Sequence, residues 1–208
     1  MIPLLVDLSG RCVLICGGGD VAVRKAGFFL PEAEVTVVSR SFATPLLRSG
    51  ARLVEADLER LDDDGLRALC SGAKLVVAAT SDPALNGRIV RAARSEGVLA
   101  NSASGAGGDV QLPAVARGER YVVAVGTGGE SPGMARFLRE SIERMYPRLE
   151  EMIALQARLR RRLQDEIPDQ RQRSTLLRAV LEDSEIWAAL EDGGDQAWAL
   201  LEGRYLHA

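Results

Sequence analysis

Three consecutive glycines between a short apolar run and a helical pattern constrain the fold of this chain more than any other feature. The apolar run covers residues 11–16, and the helical pattern starts at Asp20. Gly17, Gly19 and Ala22 give the spacing Gly-x-Gly-x-x-Ala, which is the fingerprint of a dinucleotide-binding turn when it follows a strand and opens a helix. The first glycine permits the tight turn, and the second lets the backbone approach a pyrophosphate. The segment therefore predicts a strand–loop–helix unit that binds a dinucleotide.

The same loop also has a purely structural interpretation, in which the glycines only close the packing of a helix on a strand. The binding interpretation adds that the helix N-terminus offers free N–H groups and a partial positive charge to phosphate groups. In that case Gly18, Asp20 and Val21 join the motif glycines as candidate cofactor contacts. Both interpretations require the same strand–loop–helix geometry.

The end of the second predicted strand bears on which dinucleotide is bound. In many such folds an acidic residue about 20 positions beyond the glycine loop binds the ribose 2′-hydroxyl of NAD. Here Arg40 and Ser41 follow the strand, and no acid stands there. Arg40 could face the 2′-phosphate of NADP or stack beside the adenine, so the residues leave the choice between NAD and NADP open.

Short apolar runs alternate with helical patterns over the first two thirds of the chain. The runs predict strands at 11–16, 34–38, 51–56, 74–79, 98–104 and 121–125. The run at 74–79 is apolar enough for a central strand that is buried on both faces, whereas 51–56 alternates and is typical of a strand near an edge. Ser81 or Asp82 can cap the helix that starts at Pro83. This alternation predicts an α/β fold with a Rossmann-like, doubly wound, mostly parallel sheet.

The remainder of the chain has a different pattern. From Ser131 no strand pattern returns, and breaks near Pro147, Pro168 and Gly193 divide the sequence into several helices. Ser131 is a good helix cap with Pro132 in the first turn. A helical region after an α/β domain predicts an element for dimerisation and for holding a substrate.

Composition and charge exclude several classes of function. The 208 residues carry a formal net charge of -3, whereas nucleic-acid-binding domains usually present an excess of basic residues. No apolar run approaches the roughly 18 residues of a membrane span, and the N-terminal stretch is unlike a signal peptide. Cys12, Cys16 and Cys70 stand in no metal-ligand spacing, and we expect them to be free, buried thiols. We therefore expect a cytoplasmic protein without a nucleic-acid or membrane partner and without a protein-built metal site.

Three segments, taken in order, match the pattern of one family. Residues 3–30 hold the glycine loop followed by an Arg-Lys pair, and residues 78–97 hold Ala-Ala-Thr-Ser-Asp-x-x-Leu-Asn at the start of a helix. Residues 123–143 hold a Gly-Gly-x-Ser-Pro-x-x-Ala-Arg segment. In order and spacing, over essentially the whole chain, the sequence resembles the precorrin-2 dehydrogenase family, which includes the N-terminal part of fused sirohaem synthases.

The resemblance implies both an architecture and a reaction. It implies an NAD-binding Rossmann domain at 1–113, a dimerisation region at 114–147 and a small helical domain at 148–208, assembled as a homodimer. The implied reaction removes two hydrogens from precorrin-2 to form sirohydrochlorin in sirohaem biosynthesis, with NAD accepting the hydride. Some members also insert ferrous iron into sirohydrochlorin, and whether this chain has ferrochelatase activity stays open.

Matched position by position, the resemblance also implies site residues. The implied cofactor contacts are Gly17, Gly19, Asp20, Val21, Arg40 and Ser41, together with Thr80, Asp82 and Asn86 at the carboxyl end of the fourth strand. The residues expected to border the tetrapyrrole are Thr127, Gly128, Gly129 and Ser131. The carboxyl edge of a doubly wound sheet is where such folds bind ligands.

One position departs from the family. After the fifth strand the family shows Asn-Val-Val-Asp, and that aspartate is its proposed general base. Here Asn101 begins the segment and Ser104 stands at the matching position. Serine cannot take a proton at neutral pH without an adjacent base. Asp109 could reach the site if the glycine-rich loop folds back, although its spacing matches it to another position of the family. Ser104 and Asp109 are thus the candidate catalytic residues, and the alternative function is a dinucleotide- or tetrapyrrole-binding module without catalysis.

Overall fold

The computed structural model describes residues 2–103 and 107–206. These residues divide into two compact units, Met1–Leu112 and Pro113–Ala208. The first unit contains all the parallel strands of the described chain, and the second contains a β-hairpin and most of the helices.

The first unit is built on a sheet of parallel strands. They are β1 (Cys12–Cys16), β2 (Glu34–Ser39), β3 (Arg52–Glu55), β4 (Leu75–Ala78) and β5 (Leu99–Ser102). Their order in the sheet is β3-β2-β1-β4-β5, and each neighbouring pair is parallel. The chain therefore winds outward from β1 in both directions, with the switch point between β1 and β4. The predicted doubly wound α/β fold is confirmed, with β4 fully buried and β3 at an edge.

Helices cover both faces of this sheet. They are α1 (Asp20–Phe29), α2 (Thr44–Leu47), α3 (Asp63–Cys70) and α4 (Pro83–Ser95), with a 3-10 turn at Leu58–Arg60. Because side chains alternate along a strand, Val13 and Ile15 of β1 pack with α1 and α2, whereas Leu14 and Cys16 pack with α3 and α4. Burial on both faces explains why β1 and β4 are continuous apolar runs in the sequence.

Aspartate caps start two of these helices. The carboxylate of Asp62 accepts a hydrogen bond from the Gly65 N–H at 2.8 Å at the start of α3. That of Asp82 accepts one from the Ala84 N–H at 2.8 Å at the start of α4, whose first residue is Pro83. The predicted start of this helix at Asp82 and Pro83 is therefore confirmed.

The three cysteines are free, but they are not equally buried. Cys16 of β1 and Cys70, the last residue of α3, belong to the core between the sheet and helices α3 and α4. Burial raises the pKa of both thiols, that of Cys70 to about 11. Cys12 is only partly buried, so the prediction of a third buried thiol is wrong. Cys12 is the first residue of β1, where the strand enters the core.

The second unit starts with a β-hairpin that packs on a helix. Strands β6 (Ala114–Arg117) and β7 (Val122–Val125) pair antiparallel, and α5 (Pro132–Met145) contacts both. The sequence predicted β7 as a sixth strand after the parallel sheet but missed β6. The placement of β7 in a mostly parallel succession of strands is therefore corrected: its partner is the preceding strand β6, with which it pairs antiparallel.

Four further helices form a separate core in this unit. They are α6 (Leu149–Glu166), α7 (Gln170–Glu182), α8 (Ser184–Asp192) and α9 (Gly194–Leu201), followed by a π-helical turn at Glu202–Leu206. Met152, Leu155, Leu159 and Leu163 form the buried stripe of α6. The predicted breaks near Pro147, Pro168 and Gly193 are confirmed, while the break at Asp183, which caps α8, was not predicted. Across residues 2–103 and 107–206, no helix has the length and apolar character needed to span a membrane.

Candidate cofactor-binding site

A cleft of about 700 Å³ opens at the carboxyl ends of β1 to β4. Its walls come from the four segments that follow these strands, namely residues 17–21, 39–43, 56–59 and 79–82, together with Leu85. Because successive strands are added in opposite directions on the two sides of the boundary between β1 and β4, the cleft lies at the topological switch point, where doubly wound sheets bind ligands. The structure thus brings together at one cleft all the predicted cofactor contacts except Asn86.

The three glycines of the loop have different physical roles. Gly17 has a φ of 123°, and a Cβ there would collide with the Ala79 carbonyl. A Cβ on Gly18 would collide with the carbonyl oxygen of Ser41. Gly19 has an ordinary negative φ, and a Cβ there would meet nothing within 4 Å. Gly17 and Gly18 are therefore required by the packing of the chain itself, whereas the protein leaves open space beside Gly19.

The N-terminus of α1 lacks the side-chain cap that α3 and α4 have. Gly19 occupies the N-cap position and has no side chain, whereas Asp62 and Asp82 cap α3 and α4. The first N–H groups of a helix have no intrahelical acceptor, so a bound anion can satisfy them. The uncapped helix end and the open space at Gly19 fit a dinucleotide pyrophosphate.

Arg40 is held by two carboxylates that the sequence did not indicate. Its Nη2 lies 3.2 Å from Oε1 of Glu59, and its Nη1 lies 4.0 Å from Oδ2 of Asp57. Both acids belong to the segment after β3 and line the cleft. Their position directly after β3 was a usable signal in the sequence. Because β3 is parallel to β2, the segments that follow these two strands leave the sheet at the same edge.

A hydrogen-bonded pair fixes the backbone after β4. The Asn86 Oδ1 accepts from the Thr80 N–H at 3.0 Å and lies 2.8 Å from its hydroxyl, while Nδ2 donates to the Thr80 carbonyl at 3.0 Å. Asn86 is 1% exposed and lies behind Thr80, outside the wall of the cleft. Thr80 and Asp82 line the cleft, so Asn86 reaches it only through Thr80.

Of the two candidate catalytic residues, Asp109 does not line this cleft. Ser104 lies outside the described residues. Asp109 binds Arg94 at 2.8 Å through Oδ1 and accepts from the Ala100 N–H at 3.2 Å through Oδ2. Arg94 is in the last turn of α4, about 18 Å along the helix from Asp82 at the cleft. The hydrogen bond from Arg94 also holds the pKa of Asp109 below its usual range.

The predicted substrate residues lie in the second unit, in the loop between β7 and α5. Thr127 Oγ1 donates to the Ser131 carbonyl at 3.0 Å and accepts from its N–H at 3.2 Å. Gly128 and Gly129 have φ values of 67° and 89°, which glycine adopts without strain. Ser131 caps α5 by accepting from the Met134 N–H at 3.3 Å, as predicted. The loop is therefore a hydrogen-bonded turn in front of a helix N-terminus.

Comparisons with known proteins agree with this geometry. Residues 4–114 match the family model described as "Putative NAD(P)-binding". A precorrin-2 dehydrogenase of Methanosarcina barkeri is 37% identical to the chain over 96% of this chain and 93% of its own length. A siroheme synthase of Methylococcus capsulatus is 35% identical over 96% of this chain, which spans 42% of that longer protein.

A solved structure supports the fold independently. The structure titled SirC, precorrin-2 dehydrogenase, superposes with a TM-score of 0.70 at 24% identity and covers 98% of this chain and 100% of that one. At this identity the likeness concerns the fold alone. The family model and the relative of matching length carry the assignment. The chain therefore belongs to the precorrin-2 dehydrogenase family, and its cofactor is a nicotinamide dinucleotide, NAD(P).

Proposed function

We propose that the chain oxidises precorrin-2 to sirohydrochlorin in the biosynthesis of sirohaem. The observation that carries the proposal is the match to a precorrin-2 dehydrogenase over nearly the full length of both chains. The reaction converts precorrin-2 and NAD⁺ to sirohydrochlorin, NADH and one proton. NAD⁺ is the two-electron acceptor that takes the hydride.

In this proposal the first unit holds the cofactor. The N–H groups at the start of α1 would bind the pyrophosphate, and the open space beside Gly19 would let it approach the backbone. Arg40 and Ser41, which follow β2 in the cleft wall, would lie beside the ribose, and Thr80 and Asp82 line the side next to β4. Positioning the two reactants against each other would supply much of the rate enhancement.

The reaction also needs an acceptor for the proton that precorrin-2 loses. Ser104 and Asp109 stay the predicted candidates. Both oxygens of Asp109 are already hydrogen-bonded, and its lowered pKa makes it a weak base. These contacts favour a structural role for Asp109, with the proton leaving to solvent or to another carboxylate.

The second unit has features that suit substrate binding and assembly. We assign the tetrapyrrole contact to the loop at 127–131, whose helix N-terminus favours a substrate carboxylate. We assign dimerisation to 114–147, since α5 exposes Met134, Phe137, Leu138 and Met145 on its surface. Residues 148–208 then form the small helical domain of a homodimer. The free thiols of the first unit suit a cytoplasmic location.

The test is anaerobic incubation of the purified protein with precorrin-2 and NAD, following the absorbance of sirohydrochlorin. Catalytic turnover, with one NADH formed per sirohydrochlorin, is the expected result. Cofactor binding without turnover would overturn the proposal and leave a non-catalytic binding module. Adding Fe²⁺ after the oxidation and following sirohaem formation decides separately whether the chain is also a ferrochelatase.

A further inference from the structure

Arg40 stands where a dinucleotide-binding fold usually places an acid, yet it is not a free cation. The usual acid at the end of the second strand binds the ribose 2′-hydroxyl, and an arginine there accommodates the 2′-phosphate of NADP. Taken alone, Arg40 would favour NADP. In the structure its guanidinium faces Glu59 and Asp57, which come from the neighbouring strand's loop.

The fold places this acidic pair beside Arg40 for a simple geometric reason. Ser39 at the end of β2 is in register with Glu55 at the end of β3, so the segments that follow these strands leave the sheet side by side. The Ala56 N–H donates to the Ser39 carbonyl at 3.0 Å, which extends the pairing by one residue. The carboxylates of Asp57 and Glu59 therefore line the cleft from the segment after β3, whereas the usual acid follows the second strand.

The two acids differ in how firmly they are held. Asp57 accepts from the Glu59 N–H at 3.1 Å, which starts the 3-10 turn, and its other oxygen lies 3.2 Å from Nε of Arg60. Its side chain is 25% exposed, whereas that of Glu59 is 54% exposed. Asp57 is thus a fixed part of the wall, and Glu59 is the acid whose charge can be removed with little structural cost.

The charged residues that line the cleft are mostly acidic, which also disfavours the binding of an additional phosphate. The charged side chains among its lining residues are Arg40 and the four acids Asp20, Asp57, Glu59 and Asp82. A 2′-hydroxyl adds no charge and can donate a hydrogen bond to a carboxylate. A 2′-phosphate adds between one and two negative charges at neutral pH and would have to displace carboxylates from Arg40.

We infer that Glu59 and Asp57 are the residues that make the cleft select NAD over NADP, by pairing with Arg40, which would otherwise bind the 2′-phosphate. The inference rests on the proposed placement of the cofactor in this cleft, and it does not depend on which substrate is oxidised.

The test measures the dissociation constants of NAD⁺ and NADP⁺ by titration calorimetry, with the purified full chain and no substrate. The wild type should bind NAD⁺ more tightly. Glu59→Gln should lower the preference about threefold, and Glu59→Gln with Asp57→Asn about tenfold, chiefly by tightening NADP⁺ binding, as expected for partly exposed charge pairs. Glu55→Gln is the matched control, because Glu55 is an exposed acid at the end of β3 that does not line the cleft.

Two further measurements separate the electrostatic explanation from others. Arg40→Gln should weaken NADP⁺ binding further, because the acids then face the phosphate without a cation. The preference for NAD⁺ should shrink as the salt concentration rises, because mobile ions screen exposed charges. Tm values of all variants establish that the cleft is still folded.

A preference that stays unchanged in Glu59→Gln and in the double variant, with both proteins folded, would overturn the inference. So would a wild type that prefers NADP⁺. Failure of the cofactor placement gives a different result: Gly19→Ala would then leave the binding of both dinucleotides unchanged.

Discussion

The side-chain amide of Asn86 is hydrogen-bonded to both the backbone N–H and the backbone carbonyl of Thr80. A side-chain amide carries an acceptor oxygen and a donor NH₂ on one planar group, so it mimics the edge of a β-strand. Asn86 thereby holds the backbone of Thr80, which follows β4, in the wall of the cleft. Its effect on a bound cofactor passes through the position of Thr80.

Replacing Asn86 by Leu should weaken both folding and cofactor binding. The partly buried N–H and carbonyl of Thr80 lose their partners, which should cost about 2 kcal/mol of the free energy of unfolding. Urea unfolding and NAD⁺ calorimetry measure the two effects. Thr80→Val is the matched control, because it removes the hydroxyl and keeps both backbone bonds, and about 1 kcal/mol is expected. If Asn86→Leu loses NAD⁺ binding at unchanged stability, Asn86 contacts the cofactor directly.

Alanine substitutions along the glycine loop should separate fold from binding. Gly17→Ala and Gly18→Ala should destabilise the protein, because each new Cβ collides with a carbonyl of the neighbouring segment. Gly19→Ala should change the free energy of unfolding by less than about 1 kcal/mol, because its backbone is ordinary and its surroundings are open. It should still weaken NAD⁺ binding at least about tenfold, because the methyl group occupies the space where the pyrophosphate approaches.

Thermal unfolding and NAD⁺ titration of the three glycine variants provide the measurements. Equal loss of stability in all three would show that Gly19 is also a packing glycine. Unchanged NAD⁺ binding by Gly19→Ala would show that the cofactor does not bind at this loop.

The pair formed by Arg94 and Asp109 should act on stability more than on catalysis. Asp109→Asn and Arg94→Gln should each lower the free energy of unfolding by about 1 kcal/mol, since both side chains are partly exposed. Turnover should fall less than about threefold in both variants. Loss of turnover in Asp109→Asn alone, with Arg94→Gln active, would make Asp109 the proton acceptor.

The same pair predicts a pH dependence. Folding lowers the pKa of Asp109, so its contribution to stability is fully present above the unfolded pKa of about 4 and is lost as the pH falls through the lower folded value. The stability difference between wild type and Asp109→Asn should therefore be constant from pH 7 to about 5 and should shrink below pH 4. Urea unfolding across this range measures it, and a difference that persists to pH 2 would show that the ion pair is not its source.

The thiols should react in two classes. At pH 8 the native protein should label at Cys12 with a disulfide reagent, because that side chain is partly exposed. Cys16 and Cys70 should react only on unfolding, because they are buried and burial raises both pKa values, which leaves little thiolate. Cys12→Ser is the control and should abolish the native-state labelling. Native labelling in that variant would show that the core under α3 and α4 opens.

Local features could be read from the sequence because neighbours along the chain determine them. The glycine spacing identified the loop, the apolar runs located the five parallel strands, and Asp82 with Pro83 marked the start of α4. Ser131 was identified as the cap of α5 for the same reason. A capping bond or a turn spans a few residues, so the residue types within that span are sufficient.

The errors concern residues whose partners are distant along the chain. β6 is four residues long, and its pairing with β7 sets the sheet to which β7 belongs. Cys12 lies on the same face of β1 as Cys16, but it is the first residue of the strand and is only partly buried, whereas the four residues after it are buried. Neither feature follows from periodicity alone.

The sequence by itself thus determined the fold class, the glycine loop and the family. The tertiary structure decided that Glu59 pairs with Arg40, that Asn86 stands behind Thr80, and that Asp109 is bound to Arg94 away from the cleft. The Glu59 pairing and the burial of Asn86 depend on which strands are neighbours and on which face each helix covers. Sheet order is set by the packing of the whole unit, so the electrostatic surroundings of a side chain appear only once the sheet is assembled.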